Sequence, residues 1–226
     1  DGSFDSFIHM DGRVHGIEIA DDKIYVVKWF GATQLLTPAD FQKSHIEILH
    51  KDGTKIPDIP GPLRPVDIAI DNFGKIYATD YLTGTIQIFN PSGSLLKTLT
   101  VPSVLDETET SNDKCTAEIV CSKNAKLTGI TLDSSGNIYV PDSYNNRITV
   151  FDTSGNLIRW FAVGSPSTGG NGVYGIAIDG VGNIYTAERG DQRVQIFPPN
   201  YSEPASDDLI PPVIPQIDNI SQMTEN

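Results

Sequence analysis

One phrase of residues is written four times along this chain, and few folds can absorb that repetition. Each copy opens with an apolar alternation: Gly16-Ile17-Glu18-Ile19, Asp67-Ile68-Ala69-Ile70, Gly129-Ile130-Thr131-Leu132 and Gly175-Ile176-Ala177-Ile178. An acid follows at once at Asp71, Asp133 and Asp179, and the first copy offers Asp21 or Asp22. A tight turn then leads into Ile24-Tyr25, Ile76-Tyr77, Ile138-Tyr139 and Ile184-Tyr185. Gly accepts positive φ and Asp bonds back to its own turn, so each copy predicts a hairpin.

The second half of the phrase is as regular. From Tyr to the closing Phe the interval is 12 residues in three copies, Tyr77 to Phe89, Tyr139 to Phe151 and Tyr185 to Phe197. The stretches before those Phe residues, such as Arg147-Ile148-Thr149-Val150-Phe151, alternate with the period of a half-buried strand. In the first copy Tyr25 to Leu49 is twice that interval, so an insertion lies between its second and third strands. A further turn and a fourth apolar run follow, LLKTL and LIRWF in the clear copies and a Pro-broken KIPDI in the first. Four short strands in a unit of about 45 residues is the pattern of a propeller blade. The expected fold is therefore all-β, a β-propeller with four blades visible.

These units resemble NHL repeats, the blades of NHL-type β-propellers, over roughly Ile8 to Phe197. Repeats three and four carry the family phrase almost literally, with Gly-Asn-Ile-Tyr at 136–139 and 182–185 and Asn-x-Arg-Ile-x-Val-Phe at 145–151. The resemblance implies a scaffold and not an activity, since such propellers serve as lyases, lactone hydrolases, RNA binders and interaction modules. The last repeat stops after its third strand at Phe197, where Pro198-Pro199 follows. Residues 2–8 align with 155–161 as a fourth strand without the first three. Such a strand closes a four-blade ring by completing the last blade, or the four blades belong to a larger ring. The domain reading is a propeller over 1–197 and an extended Pro-rich tail over 198–226.

Charge and cysteine content bound the partners. Net charge is −13, from 29 acidic and 16 basic residues, which repels nucleic acid and anionic membrane surfaces. No run of apolar residues is long enough to span a bilayer as a helix. Cys115 and Cys121 are the two cysteines, spaced for a local disulfide and too few for a zinc site, with free thiols as the alternative. Sequons at Asn200 and Asn219, with the Cys pair, favour an extracellular or cell-surface setting.

Function in a propeller sits where the repeat is broken. The first insertion carries Trp29, Phe30, Leu35, Leu36 and Phe41, an expected contact surface for a protein partner. The second, 100–126, gathers acids around the cysteines; a calcium site there is the minor alternative to a solvated loop, and no cofactor is expected. In the tail, Leu209, Ile210, Val213, Ile214 and Ile217 form an apolar strip suited to an arm that docks on a neighbouring subunit. Asp80, Asp142 and Glu188 stand at the family's acid places, with Lys28 replacing the acid in the first repeat, and are expected to brace loops. His15 is the one metal-capable side chain among the residues preceding each first strand. The leading expectation is a non-enzymatic binding or assembly propeller, a homo-oligomer or filament subunit. The alternative is a metal-dependent lyase or lactone hydrolase working in the channel around His15.

Overall fold

The computed structural model describes residues 7–29, 44–62, 64–102, 125–163, 172–199 and 201. They form four antiparallel sheets arranged as a four-blade β-propeller. The first sheet is β1 (Arg13–Ala20), β2 (Lys23–Trp29), β3 (His45–His50) and β4 (Lys55–Pro60). The second is β5 (Pro65–Ile70), β6 (Ile76–Asp80), β7 (Thr85–Phe89) and β8 (Leu95–Thr100). The third is β9 (Thr131–Leu132), β10 (Ile138–Asp142), β11 (Arg147–Phe151) and β12 (Leu157–Ala162). The last has three strands among the described residues, β13 (Val173–Ile178), β14 (Ile184–Glu188) and β15 (Arg193–Phe197).

Turn chemistry fixes the register. Asp71 Oδ1 accepts the N–H groups of Phe73 and Lys75, both at 2.9 Å, and Oδ2 accepts the Tyr77 hydroxyl at 3.1 Å. Asp133 and Asp179 repeat this arrangement with Tyr139 and Tyr185. A glycine with positive φ, Gly74, Gly136 or Gly182, closes each turn. The first repeat makes its shorter turn with Asp21 and Asp22, both at positive φ, as a two-residue type I′ hairpin requires. Beyond the turns the pairing is constant: Ile76 faces Phe89, Ile138 faces Phe151, Ile184 faces Phe197 and Ile24 faces Leu49. The insertion after Trp29 therefore leaves the register of its own blade intact. Pro57 is accommodated where the register of β3 with β4 shifts, at a bulge that asks no N–H of it.

Each junction between consecutive sheets has its own core. Val27, Ile46 and Ile48 of the first sheet pack on Ile68, Ile76 and Ala78 of the second. Ile86 and Ile88 of the second pack on Ile130, Ile138 and Val140 of the third. Ile148 and Val150 of the third pack on Val173, Ile184 and Ile176 of the fourth. Tyr201, just past the expected tail boundary, stacks on Phe161 and Phe197 with ring centres 5.3 and 4.9 Å away and so belongs to that last core.

Candidate functional site

The residues around the start of the first three inner strands and around the end of the first two second strands gather at one end of the sheets. Three positions before Gly16, Asp67 and Gly129 the sequence places Arg13, Arg64 and Lys126, and β2 and β6 are terminated by Trp29 and Tyr81. These interleave across three blades. The Arg13 guanidinium lies 5.1 Å from the Trp29 ring centre, Arg64 lies 4.8 Å from Trp29 and 4.6 Å from Tyr81, and Lys126 lies 5.2 Å from Tyr81. His15 meets the edge of Trp29 at 6.2 Å, and burial, helped by the Arg64 and Arg13 charges, lowers its pKa. In the fourth blade Gly172 replaces the cation, and Arg189 sits instead over Tyr174 at 5.4 Å. Cation–ring contacts of this length are attractive and hold the cation near the ring.

Between the inner strands stands Asp67, where the other three repeats have Gly16, Gly129 and Gly175. A methyl group built on Gly16 would meet Asp67 Oδ1 at 2.5 Å and its Cα at 2.6 Å, so only glycine fits beside it. Asp67 Oδ2 accepts the Ile130 N–H at 3.1 Å, tying the second blade to the third. Burial pushes its pKa up to about 6, against the pull of the Ile68 and Ile130 amides. At the opposite ends of the inner strands, the turns of Asp71, Asp133 and Asp179 surround a basin of about 400 Å³. Their carboxylates are committed to their own turns and tyrosines.

The acids at the family places brace loops. Asp80 accepts the N–H groups of Leu82 and Thr83 at 2.8 and 3.1 Å. Asp142 accepts the Lys126 N–H at 3.0 Å and pairs with Arg147 at 3.3 Å, both side chains buried. Glu188 pairs with Arg193 at 2.7 Å. In the first blade the polarity is reversed: Lys28 is buried between Glu47 and Asp11. Among the described residues no three His, Cys, Asp or Glu side chains come together as a metal cluster.

Of the expected contact residues, Trp29 is in view. It is 2% exposed and serves the cation–aromatic row. Phe30, Leu35, Leu36, Phe41, Cys115, Cys121, Asn200, Leu209, Ile210, Val213, Ile214, Ile217 and Asn219 lie outside the described residues.

A second surface emerges from comparing equivalent residues. Ile68 and Ile130, 2% and 4% exposed, pack against the preceding blade, but Ile17 and Ile19 of the first blade are each 59% exposed. Ile86 and Ile148 are fully buried against the following blade, but Val194 of the last blade is 65% exposed and Ile196 beside it 45%. The turn contacts follow the same logic. Gly93 abuts Ile59 of the preceding blade's outer strand, Gly155 abuts Leu99, and Gly53 of the first blade abuts Ile8. Ile8 is the residue that aligns with Phe161, and it occupies against Gly53 the place that Ile59 and Leu99 take against Gly93 and Gly155.

Residues 125–151 match the NHL repeat family. No curated protein matches the sequence. Among solved structures, a streptogramin B lyase shares 15% identity over 82% of this chain and 54% of its own, with a TM-score of 0.54. A catalytically inactive virginiamycin B lyase from Staphylococcus aureus with quinupristin gives 15%, 82%, 55% and 0.53 in the same order. The computationally designed Ika4 protein shares 10% identity over 85% of this chain and 94% of its own, with a TM-score of 0.55. At these identities the likeness is one of fold, and the chain spans about half the length of the two lyases it matches.

Proposed function

Because the chain is a β-propeller built on NHL repeats, we propose that it works by binding and assembly rather than catalysis, with its principal contacts made blade to blade. The observation that carries this is the bare state of the end faces. Ile17 and Ile19 on one end, and Val194 and Ile196 on the other, occupy repeat positions whose counterparts at the internal junctions are buried or partly buried. Burying such a side chain contributes about 1.5–3 kcal/mol, so leaving four in water makes further association favourable. The two ends are complementary by construction, since the outgoing face of each blade already fits the incoming face of the next. Among the described residues the last sheet has three strands, while Ile8 lies against the first blade. A second copy would supply the contact, its last blade seating on this first blade beside Ile8. A heterologous contact of this kind closes a ring or continues as a filament.

The Cys115 and Cys121 pair and the sequons at Asn200 and Asn219 support an extracellular or cell-surface setting for such an assembly. The test is the mass of the intact chain in solution by sedimentation, alone and as Ile17→Glu or Val194→Glu. Self-association that either substitution abolishes, with folding retained by circular dichroism, is the expected result. A monomer at all concentrations, or association indifferent to both substitutions, overturns the proposal. Activity restored by zinc and lost on chelation would instead favour the lyase or lactone hydrolase alternative.

A further inference from the structure

We infer that the cation–aromatic row across the first three blades is a binding site for an oxyanion, either a polycarboxylate or a phosphate group. The first ground is a combination: several described cations form no ion pair, but among the described residues Arg64 is the one that also lies over two rings. Lys28 has Asp11 and Glu47, Lys51 has Asp22, Lys55 has Glu47, Arg147 has Asp142, and Arg193 has Glu188 and Asp191. In a chain with 29 acidic residues, carboxylates are plentiful. Yet among the described residues neither Arg13 nor Arg64 is in an ion pair; both rest on the Trp29 ring.

The second ground is geometry. Arg64 is held between two rings, Trp29 and Tyr81, at 4.8 and 4.6 Å. A guanidinium held between two rings keeps its charge and its five N–H donors, a set that can meet a carboxylate or phosphate with two parallel hydrogen bonds. Lys126 adds a further positive charge beyond Tyr81. The third ground is Trp29 itself, whose indole Nε1–H is buried without a hydrogen-bond partner, a donor left over in a structure that satisfies most others. His15, its pKa lowered beside the two arginines, contributes a neutral ring that both donates and accepts.

The row is local on a chain of net charge −13, so a long polyanion is repelled by the rest of the surface while a compact anion meets the cations alone. This separates the site from nucleic-acid recognition. It is also independent of the end faces, because Arg64 and Tyr81 belong to an internal blade.

The experiment uses the full chain carrying Trp160→Phe, so that the remaining indole fluorescence reports Trp29. Citrate and inorganic phosphate are titrated separately against sodium chloride of equal ionic strength. Saturable quenching or enhancement by one anion, absent with chloride, is expected and identifies which oxyanion is preferred. Arg64→Gln should weaken that binding by at least about tenfold, and Arg64→Lys should recover it only in part, because an ammonium cannot stack and fork as a guanidinium does. Near-ultraviolet circular dichroism verifies that both variants fold. No saturable response to either anion, or equal binding by folded Arg64→Gln, overturns the inference.

Discussion

Replacing Asp67 by Asn should stabilise the protein at neutral pH and leave it unchanged in acid. Asp67 is the one carboxylate at a position where the other repeats carry glycine, and burial holds its folded pKa near 6 against an ordinary value of 3.8. A raised folded pKa means that the native state binds the proton more tightly. The stability associated with this group is thus fully present below about pH 4 and is lost as pH rises through about 6. A shift of roughly two units corresponds to about 3 kcal/mol at pH 7.5. Asn keeps an oxygen to accept the Ile130 N–H while removing the charge. Thermal melts of wild type and Asp67→Asn between pH 4 and 8 should diverge from near coincidence to a gap of about 5–10 °C. Parallel curves, or a variant less stable at pH 7.5, would refute the assignment of a desolvated charge to the space between the inner strands.

Other outcomes follow from repeat-equivalent residues in different surroundings. Ile86→Ala opens a cavity in an internal junction and should cost about 2–5 kcal/mol in chemical denaturation. Val194→Ala, at the same repeat position, should change the stability of the isolated chain by no more than about 0.5 kcal/mol. Asp142→Ala strands a buried Arg147 and should cost about 3–5 kcal/mol, whereas Glu188→Ala beside the half-exposed Arg193 should cost about 1 kcal/mol or less. Equal losses within either pair, measured by urea titration, would count against the difference in packing.

The blades were legible because their determinants are local. Asp71, Asp133 and Asp179 bond within six residues of themselves, and the Tyr-to-Phe spacing carries the register, so periodicity alone locates the hairpins and their turns. KIPDI looked broken by Pro57, yet the bulge absorbs the missing donor, a tertiary accommodation no local pattern announces. The cation–aromatic row is not legible in sequence for a different reason. Its members, such as Arg13 and Trp29, or Arg64 and Tyr81, are far apart in sequence and meet because equivalent ends of neighbouring blades meet. The signal is a cation three places ahead of Gly16, Asp67 and Gly129, but only in the fold does that spacing become a row. Trp29 was singled out as an insertion residue offered to a partner; its 2% exposure comes from ending β2 beside Arg13 and Arg64. The bare end faces are likewise invisible in sequence, where Ile17 and Ile68 read alike.

Direct imaging of the intact chain as single particles tests the assembly proposal most directly. Particles containing more than four blades in one ring or filament, with Ile17 and Ile19 of one copy packed against Val194 and Ile196 of another, are the predicted result. Isolated four-blade particles whose end faces stay exposed, or are buried against each other within one chain, would contradict it.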